Sequence, residues 1–224
     1  DNIKGIIVNH HLLASSFIAE TFNAVATDAP LTIFLISPNH FDAGKGDMQT
    51  TFQTWNLYSG KVYPATDIMR TLPVSEERDS FIAEHGIYLV LPDIHRVWPQ
   101  AQVIPIILKV NTPADKVRML HEALSKWCRQ CLLIASVDFS HYQTTEVANQ
   151  HDEVTLLGLR SFDESAIREK AEVDSPPSLQ LLIEWAKSHN ATEFVTWLHT
   201  NSGVLVHDPE GETTSHVFGY YQTK

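Results

Sequence analysis

Three apolar runs in this chain each hand over to histidine within a few residues. Gly5–Asn9 (GIIVN) is followed by His10-His11, Leu31–Ser37 (LTIFLIS) by Pro38-Asn39-His40, and Leu132–Val137 (LLIASV) by Asp138-Phe139-Ser140-His141. Neutral imidazole is the commonest protein metal ligand and also works as a general base near pH 7. Twelve histidines in 224 residues are the one compositional oddity, so metal chemistry is the first thing to test. A single histidine after a strand is ordinarily a turn residue with a satisfied ring. Three in register point to a common crevice, because ligands in open α/β sheets bind beyond the carboxyl ends of the strands. If these strands are parallel neighbours, His10, His40 and His141 converge there.

A fourth element adds a carboxylate. In Val173-Asp174-Ser175-Pro176-Pro177, Pro176 suits the first helical position and Ser175 the N-cap. The plain role of Asp174 is to favour the positive end of that helix. With Ser175 available as cap, Asp174 is free to point elsewhere. Two histidines and one carboxylate around an ion with open positions form the facial triad of non-haem Fe(II) oxygenases. The same donors serve a hydrolytic Zn or Mn site, and spacing does not choose between them.

The elements that must position these residues read as alternating strands and helices. Continuous apolar strands are expected at Gly5–Asn9, Leu31–Ser37, Val103–Lys109 and Leu132–Val137, with a hairpin across Thr50–Tyr63 turning at Ser59-Gly60. Helices are expected over Leu12–Ala26, from Ser75, from His85 to about Val97 with an interruption at Pro92, and from Thr112-Pro113 to about Cys128. Further helices follow at Thr145–Ser161, Glu164–Ala171 and Pro177–Ser188. Two closing strands, Glu193–Thr200 and His216–Tyr221, pair antiparallel through Asp208-Pro209-Glu210-Gly211. Strands without alternation, separated by helices, demand cover on both faces. The expected fold is a three-layer α/β/α sandwich around a mixed, mostly parallel sheet, in one domain over residues 1–224.

Particular segments resemble the Memo family, also called AmmeMemoRadiSam system protein B, whose members look like the class III extradiol dioxygenases. The anchors are IIVNHHLLAS at Ile6–Ser15, LISPNHF at Leu35–Phe41, EHGIYLVLP at Glu84–Pro92, SVDFSHY at Ser136–Tyr142 and TSHVFGYY at Thr214–Tyr221. The resemblance implies that His10 and His40 are metal ligands, and that His141 is an acid/base residue. It also implies that Glu84-His85 lies at the edge of the site. The chain departs from the family where His-Ala-Gly-Tyr/Trp is replaced by His10-His11-Leu12-Leu13. It departs again where the family's third ligand, commonly cysteine, falls on Val173 or, with a one-residue shift, Asp174. Val173 cannot bind metal, so either Asp174 substitutes or the site has two protein anchors.

The remaining candidates surround this set. His11 alternates with His10 as ligand, since adjacent residues leaving a strand point opposite ways; matched to the family, it lines the pocket with Asn39, Ser140, Ser175 and His216. Asp138 is a ligand, a group that orients a histidine, or an Asx turn. His85 is a substrate contact or a helix-start histidine. Cys128-Arg129-Gln130-Cys131 sits at a helix C-terminus, where the dipole has the wrong sign to activate a thiolate, and it lacks a second CxxC, so it reads as structural.

Composition closes off other classes. Sixteen Lys+Arg against 27 Asp+Glu give −11, which repels phosphate backbones, so no nucleic-acid partner is expected. No GxGxxG, P-loop or GxSxG motif is present. The longest apolar stretch, Val103–Leu108, is far too short to cross a bilayer. A cytoplasmic location is expected; because residue 1 is Asp, a removed leader or anchor stays open. The expected function is a metal-dependent, dioxygenase-like oxidoreductase using Fe(II), with Cu or Zn as other occupants. Its expected partners are a small-molecule substrate and further proteins. A Zn/Mn hydrolase and a non-catalytic metal- or partner-binding protein are the alternatives.

Overall fold

The structure, a computed structural model, describes residues 2–26, 30–128 and 130–224. Asp1 and Arg129, the latter within the CxxC segment, lie outside the described residues. In chain order the elements are β1 (Ile3–Val8), α1 (Ser15–Ala24), β2 (Thr32–Pro38), β3 (Met48–Thr50), β4 (Trp55–Leu57), β5 (Gly60–Val62), α2 (Thr66–Met69), β6 (Ser75–Glu76), α3 (His85–Tyr88) and α4 (Leu91–Val97). These are followed by β7 (Gln102–Leu108), α5 (Ala114–Trp127), β8 (Cys131–Ser136), β9 (His141–Gln143), α6 (Thr145–Arg160), α7 (Glu164–Lys170), α8 (Pro176–Ser188), β10 (Glu193–Asn201), α9 (Ser202–Leu205) and β11 (Thr213–Gln222).

The expected fold class is present. The main sheet runs β10-β11-β1-β8-β2-β7-β3-β6. Its centre, β1-β8-β2-β7, is parallel, while β11 joins β1 and β3 joins β7 antiparallel. Successive residues of a strand face opposite ways, which is why β2 feeds two cores. Phe34 and Ile36 pack with Leu120, Leu124, Leu181 and Trp185 from α5 and α8. Ile33 and Leu35 pack on the other face with Ile18 and Phe22 of α1 and with Leu91 and Ile94 of α4. A strand buried on both sides needs apolar side chains on both faces, and this accounts for the unbroken run Ile33–Ile36.

Three expectations change, while the helix from His85 to Val97 is interrupted as expected, α3 ending at Tyr88 and α4 taking Pro92 into its first turn. Ser75 starts no helix: Ser75–Glu76 pairs with β3, and Glu77 accepts the backbone N–H groups of Lys45 and Gly46 at 2.8 and 2.9 Å. Glu77 therefore clasps a loop instead of opening a first helical turn. Thr112 does not cap α5; its hydroxyl donates to the carbonyls of Lys109 and Asp47, and Pro113 takes the cap position. The excursion is narrower than Thr50–Tyr63, since Thr50 belongs to the main sheet and only β4 and β5 form the hairpin. Gly60 turns it at φ 145°, where a Cβ would meet His95 at 2.5 Å. Among the described residues, no helix is long and apolar enough to cross a membrane.

Candidate metal centre

The parallel centre of the sheet brings three chain ends together. Val8 at the end of β1 is in register with Ser136 at the end of β8, and Ile36 near the end of β2 is in register with Ala135. Since β8 lies between β1 and β2, His10, Asp138 and His40 leave adjacent strands at one edge. Asp174, just before α8, is tied to the same edge by two backbone contacts. Its N–H donates to the Asp138 carbonyl at 3.1 Å, and the Asp138 N–H donates to Asp174 Oδ2 at 3.0 Å.

Three donor atoms converge. His10 Nε2 faces His40 Nε2 at 3.2 Å, and Asp174 Oδ2 lies 3.2 Å from His10 Nε2 and 3.5 Å from His40 Nε2. Atoms that share one transition-metal ion at about 2.0–2.2 Å stand roughly 3.0–3.5 Å from one another in octahedral or tetrahedral arrangements. The second carboxylate oxygen, Asp174 Oδ1, is buried without a protein hydrogen-bond partner. Matched spacing, mixed N/O donors and an orphaned oxygen fit a divalent transition ion. Val173, one residue earlier, packs against the apolar core.

The rings are held from behind. His10 Nδ1 lies 3.0 Å from Ser136 Oγ, and its backbone N–H donates to Asp138 Oδ1 at 3.0 Å; the Asn9 side-chain amide donates to the same oxygen. Fully buried Glu84 grips His40 twice, with Oε1 at 2.5 Å from Nδ1 and Oε2 accepting the backbone N–H at 3.0 Å. A carboxylate behind a histidine fixes its tautomer and raises its basicity as a ligand. His85 stacks on His40 with centroids 4.0 Å apart and meets His10 edge-on at 5.1 Å. His10, His40 and His85 thus make a second donor set, with ligand atoms within 4.8 Å of one another. His10 is buried whereas the His40 side chain is 20% exposed, so the site opens on the His40 side.

The local field favours positive charge. Burial acts to lower the pKa of His10, but the carboxylates of Asp138 and Asp174 outweigh it and leave the pKa raised. For His40 burial is likewise outweighed, by hydrogen bonds to Asp174 and Glu84, and the pKa is pushed up to about 10. Burial would raise the Asp174 carboxyl, yet its bonds to the two histidines hold it well below the usual carboxylate range. His85 moves the other way: burial, then the charges of His40 and His10, lower its pKa. One imidazole is thus held neutral beside two whose carboxylate neighbours favour positive charge.

The other expected residues are distributed around this centre. Asp138 Oδ1 is 3.8 Å from His10 Nε2, and its main work is to hold the backbone of His10 and the carboxylate of Asp174. His141 starts β9 and contacts Tyr142. His11 accepts the N–H of Leu13 and lies beside buried His216, with ring centroids 5.1 Å apart. Neither ring nitrogen of His216 has a hydrogen-bond partner, and burial, then His11 and His141, lower its pKa to about 3. His11 and His216 therefore form a second histidine pair.

Three polar residues expected to line the pocket are engaged elsewhere. Both ends of the Asn39 amide bond Ala43, pinning the loop after His40. The Ser140 hydroxyl donates to buried Asp152, whose other oxygen lies 2.8 Å from His199 Nε2. Ser175 holds the N-cap position but bonds the Ser178 hydroxyl instead of a helix N–H. Glu84 and Ser136 support the two rings; the resemblance put Glu84 at the edge of the site without a role, and Ser136 was not singled out. A glutamate beside His85 and a serine closing an apolar strand were the available signals.

Comparison with known proteins follows the same lines. The Memo-like protein family profile matches residues 1–220. A MEMO1 family protein of Desulfurococcus amylolyticus is 23% identical over 220 residues, covering 91% of this chain and 75% of that protein. MEMO1 family protein PAE0818 of Pyrobaculum aerophilum is 24% identical over 148 residues, covering 62% of this chain and 53% of its own length. The MEMO1 family protein of Caldivirga maquilingensis is 24% identical over 188 residues, covering 78% and 66%. The chain thus spans between half and three quarters of the length of these relatives. The crystal structure of the uncharacterized protein JW3007 from Escherichia coli K12 superposes with a TM-score of 0.61 at 12% identity, covering 99% of this chain and 100% of that one, a likeness of fold alone. With the profile matched along nearly its whole length, the chain belongs to the Memo-like protein family.

Proposed function

We propose that His10, His40 and Asp174 hold a divalent transition metal, Fe(II) first among the occupants, and that the protein is a dioxygenase-like oxidoreductase acting on a small organic substrate. The carrying observation is the 3.2–3.5 Å spacing of His10 Nε2, His40 Nε2 and Asp174 Oδ2. When bound, such an ion supplies Lewis acidity and, as iron, redox chemistry. The chain's own groups bind and move protons. Asp138 and Glu84 orient the donors, and His85 accepts a substrate hydroxyl proton on its half-exposed ring. His141 is the further acid/base residue that the family resemblance supplies.

The His10, His40 and His85 set favours a second reading. Three imidazoles are a donor set of hydrolytic zinc sites, where a bound water is the nucleophile and a neighbouring residue takes its proton. Elemental analysis of untagged protein tests both, comparing wild type with His40→Ala, Asp174→Ala and His85→Ala. One equivalent of iron lost in Asp174→Ala but kept in His85→Ala supports the oxidoreductase. Zinc lost in His85→Ala and kept in Asp174→Ala supports the hydrolase. Absence of metal after anaerobic reconstitution overturns both.

A further inference from the structure

At the opposite end of β8 from the candidate centre, the chain gathers a different set of donors. Cys128 follows the last residue of α5, Cys131 opens β8, and the two cysteines are disulfide-bonded with Cα atoms 5.3 Å apart. His189 follows the last residue of α8 and offers a ring nitrogen within 4.8 Å of both sulfurs. From Cys131 to Ser136 the strand runs about 17 Å at 3.3–3.4 Å per residue, so this cluster is separate from His10 and its partners.

We infer that Cys128, Cys131 and His189 form a redox-gated binding site for a thiophilic ion of the zinc(II) class, filled when the cysteines are reduced and emptied when they form the disulfide. Four features support the assignment. A CxxC turn can place both thiolates on one ion, and imidazole completes the Cys2His set known from zinc sites with an open fourth position. The His189 ring is already oriented: Nδ1 lies 2.8 Å from the Trp185 carbonyl, and the ring stacks on Trp185 with centroids 4.0 Å apart. A carbonyl can only accept, so Nδ1 carries the proton and the Nε2 lone pair is left for a ligand. All three residues are partly exposed, leaving a path for an ion.

The two helix ends complete the argument. The C-termini of α5 and α8 both point their carbonyl dipoles at this corner, a field that disfavours a free thiolate but favours a cation. The helix dipole that weighs against a thioredoxin-type pair therefore weighs for a metal site. Sequence spacing hides it, because the third donor comes from a distant helix. Release is balanced by a disulfide of the glutathione class: the metal dithiolate, the added disulfide and two protons give the protein disulfide, two small thiols and the free ion. Two electrons pass from the cysteine sulfurs to the added disulfide.

Cobalt(II) is the probe, because thiolate-to-cobalt charge transfer absorbs strongly and the centre at His10 contains no sulfur. The protein, reduced with a phosphine under nitrogen, should bind one thiolate-ligated equivalent. The oxidised protein and Cys128→Ser should show no such band. His189→Ala should weaken binding by about tenfold or more, the size seen even when an outer support of a ligand is lost. Adding oxidised glutathione should abolish the band and free the cobalt. The oxidised wild type is a control without substitution, and circular dichroism verifies the variants. No charge-transfer band in the reduced wild type, unchanged affinity in His189→Ala, or cobalt retained after disulfide formation would each overturn the assignment.

Discussion

Glu84 holds His40 by both its side chain and its backbone: Oε1 stands 2.5 Å from Nδ1 while Oε2 accepts the N–H at 3.0 Å. The orientation of His40 Nε2 toward His10 and Asp174 is therefore set by a residue outside that trio. Replacement of Glu84 by Gln keeps the shape and removes the charge. Metal affinity should fall about 10- to 100-fold while the protein stays folded. Competition with a chelator of known affinity measures this, and unchanged affinity would refute the role.

The family resemblance puts its usual cysteine on Val173 or, with a one-residue shift, on Asp174. Asp174→Ala should abolish metal retention, since the two histidines alone leave the ion without its anionic donor. Asp174→Cys should restore binding with the preference moved toward soft ions such as Cu(I), because thiolate selects them over oxygen-seeking metals. Elemental analysis after loading with equimolar iron, copper and zinc reads the change.

Gly86 is a steric requirement of the site. A Cβ there would lie 1.9 Å from Ser37 Oγ and 3.3 Å from His10 Nδ1. Gly86→Ala should cost about 1–3 kcal/mol by overpacking and reduce metal content. The Ser37 hydroxyl has no hydrogen-bond partner, so adding Ser37→Ala should recover much of the loss. A double variant no better than Gly86→Ala, measured by urea denaturation, would place the strain elsewhere.

Glu184 sets a pH dependence away from the centre. Burial, then the charge of Glu164, outweigh the hydrogen bond from Gln180, and the pKa rises from the usual 4.5 to about 7. The folded state holds this proton more tightly than the unfolded chain. Stability therefore falls as pH rises from 4.5 through 7 and levels off above. Glu184→Gln should gain of order 1 kcal/mol at pH 8 and almost nothing at pH 4, because the amide oxygen can still accept from Gln180. Thermal melts at the two pH values check the difference.

The sheet and the meeting of His10, His40 and Asp174 were legible because each rests on local chemistry. Apolar runs without alternation announce strands covered on both sides, and histidine just beyond such a run marks the edge where ligands bind. Asp174 was legible as a residue freed by a neighbouring cap position, although Ser175 turned out to bond Ser178. Glu84 was legible as lying at the site's edge but not as the residue that holds His40, and the meeting of Cys128, Cys131 and His189 was not legible, since the partners arrive from distant segments. Ser75 misled because two acids after a serine imitate a helix start, whereas tertiary pairing with β3 and the loop amides of Lys45 and Gly46 claimed them.

The position of β1 bears on how the protein is made. The strand is made well before its partners, since Gly5 pairs with Tyr221 on one side and Leu133 on the other. Its edge stays open until β11 has been translated, so His10 reaches a closed sheet only after the segment through β11 has left the ribosome. Such long-range closure slows folding and leaves an apolar strand exposed in the nascent chain. The meeting of His10, His40 and Asp174 is thus completed after β1 has waited for more than two hundred residues, and a ribosome that stalls before β11 releases a chain with sticky edges and an unfinished crevice.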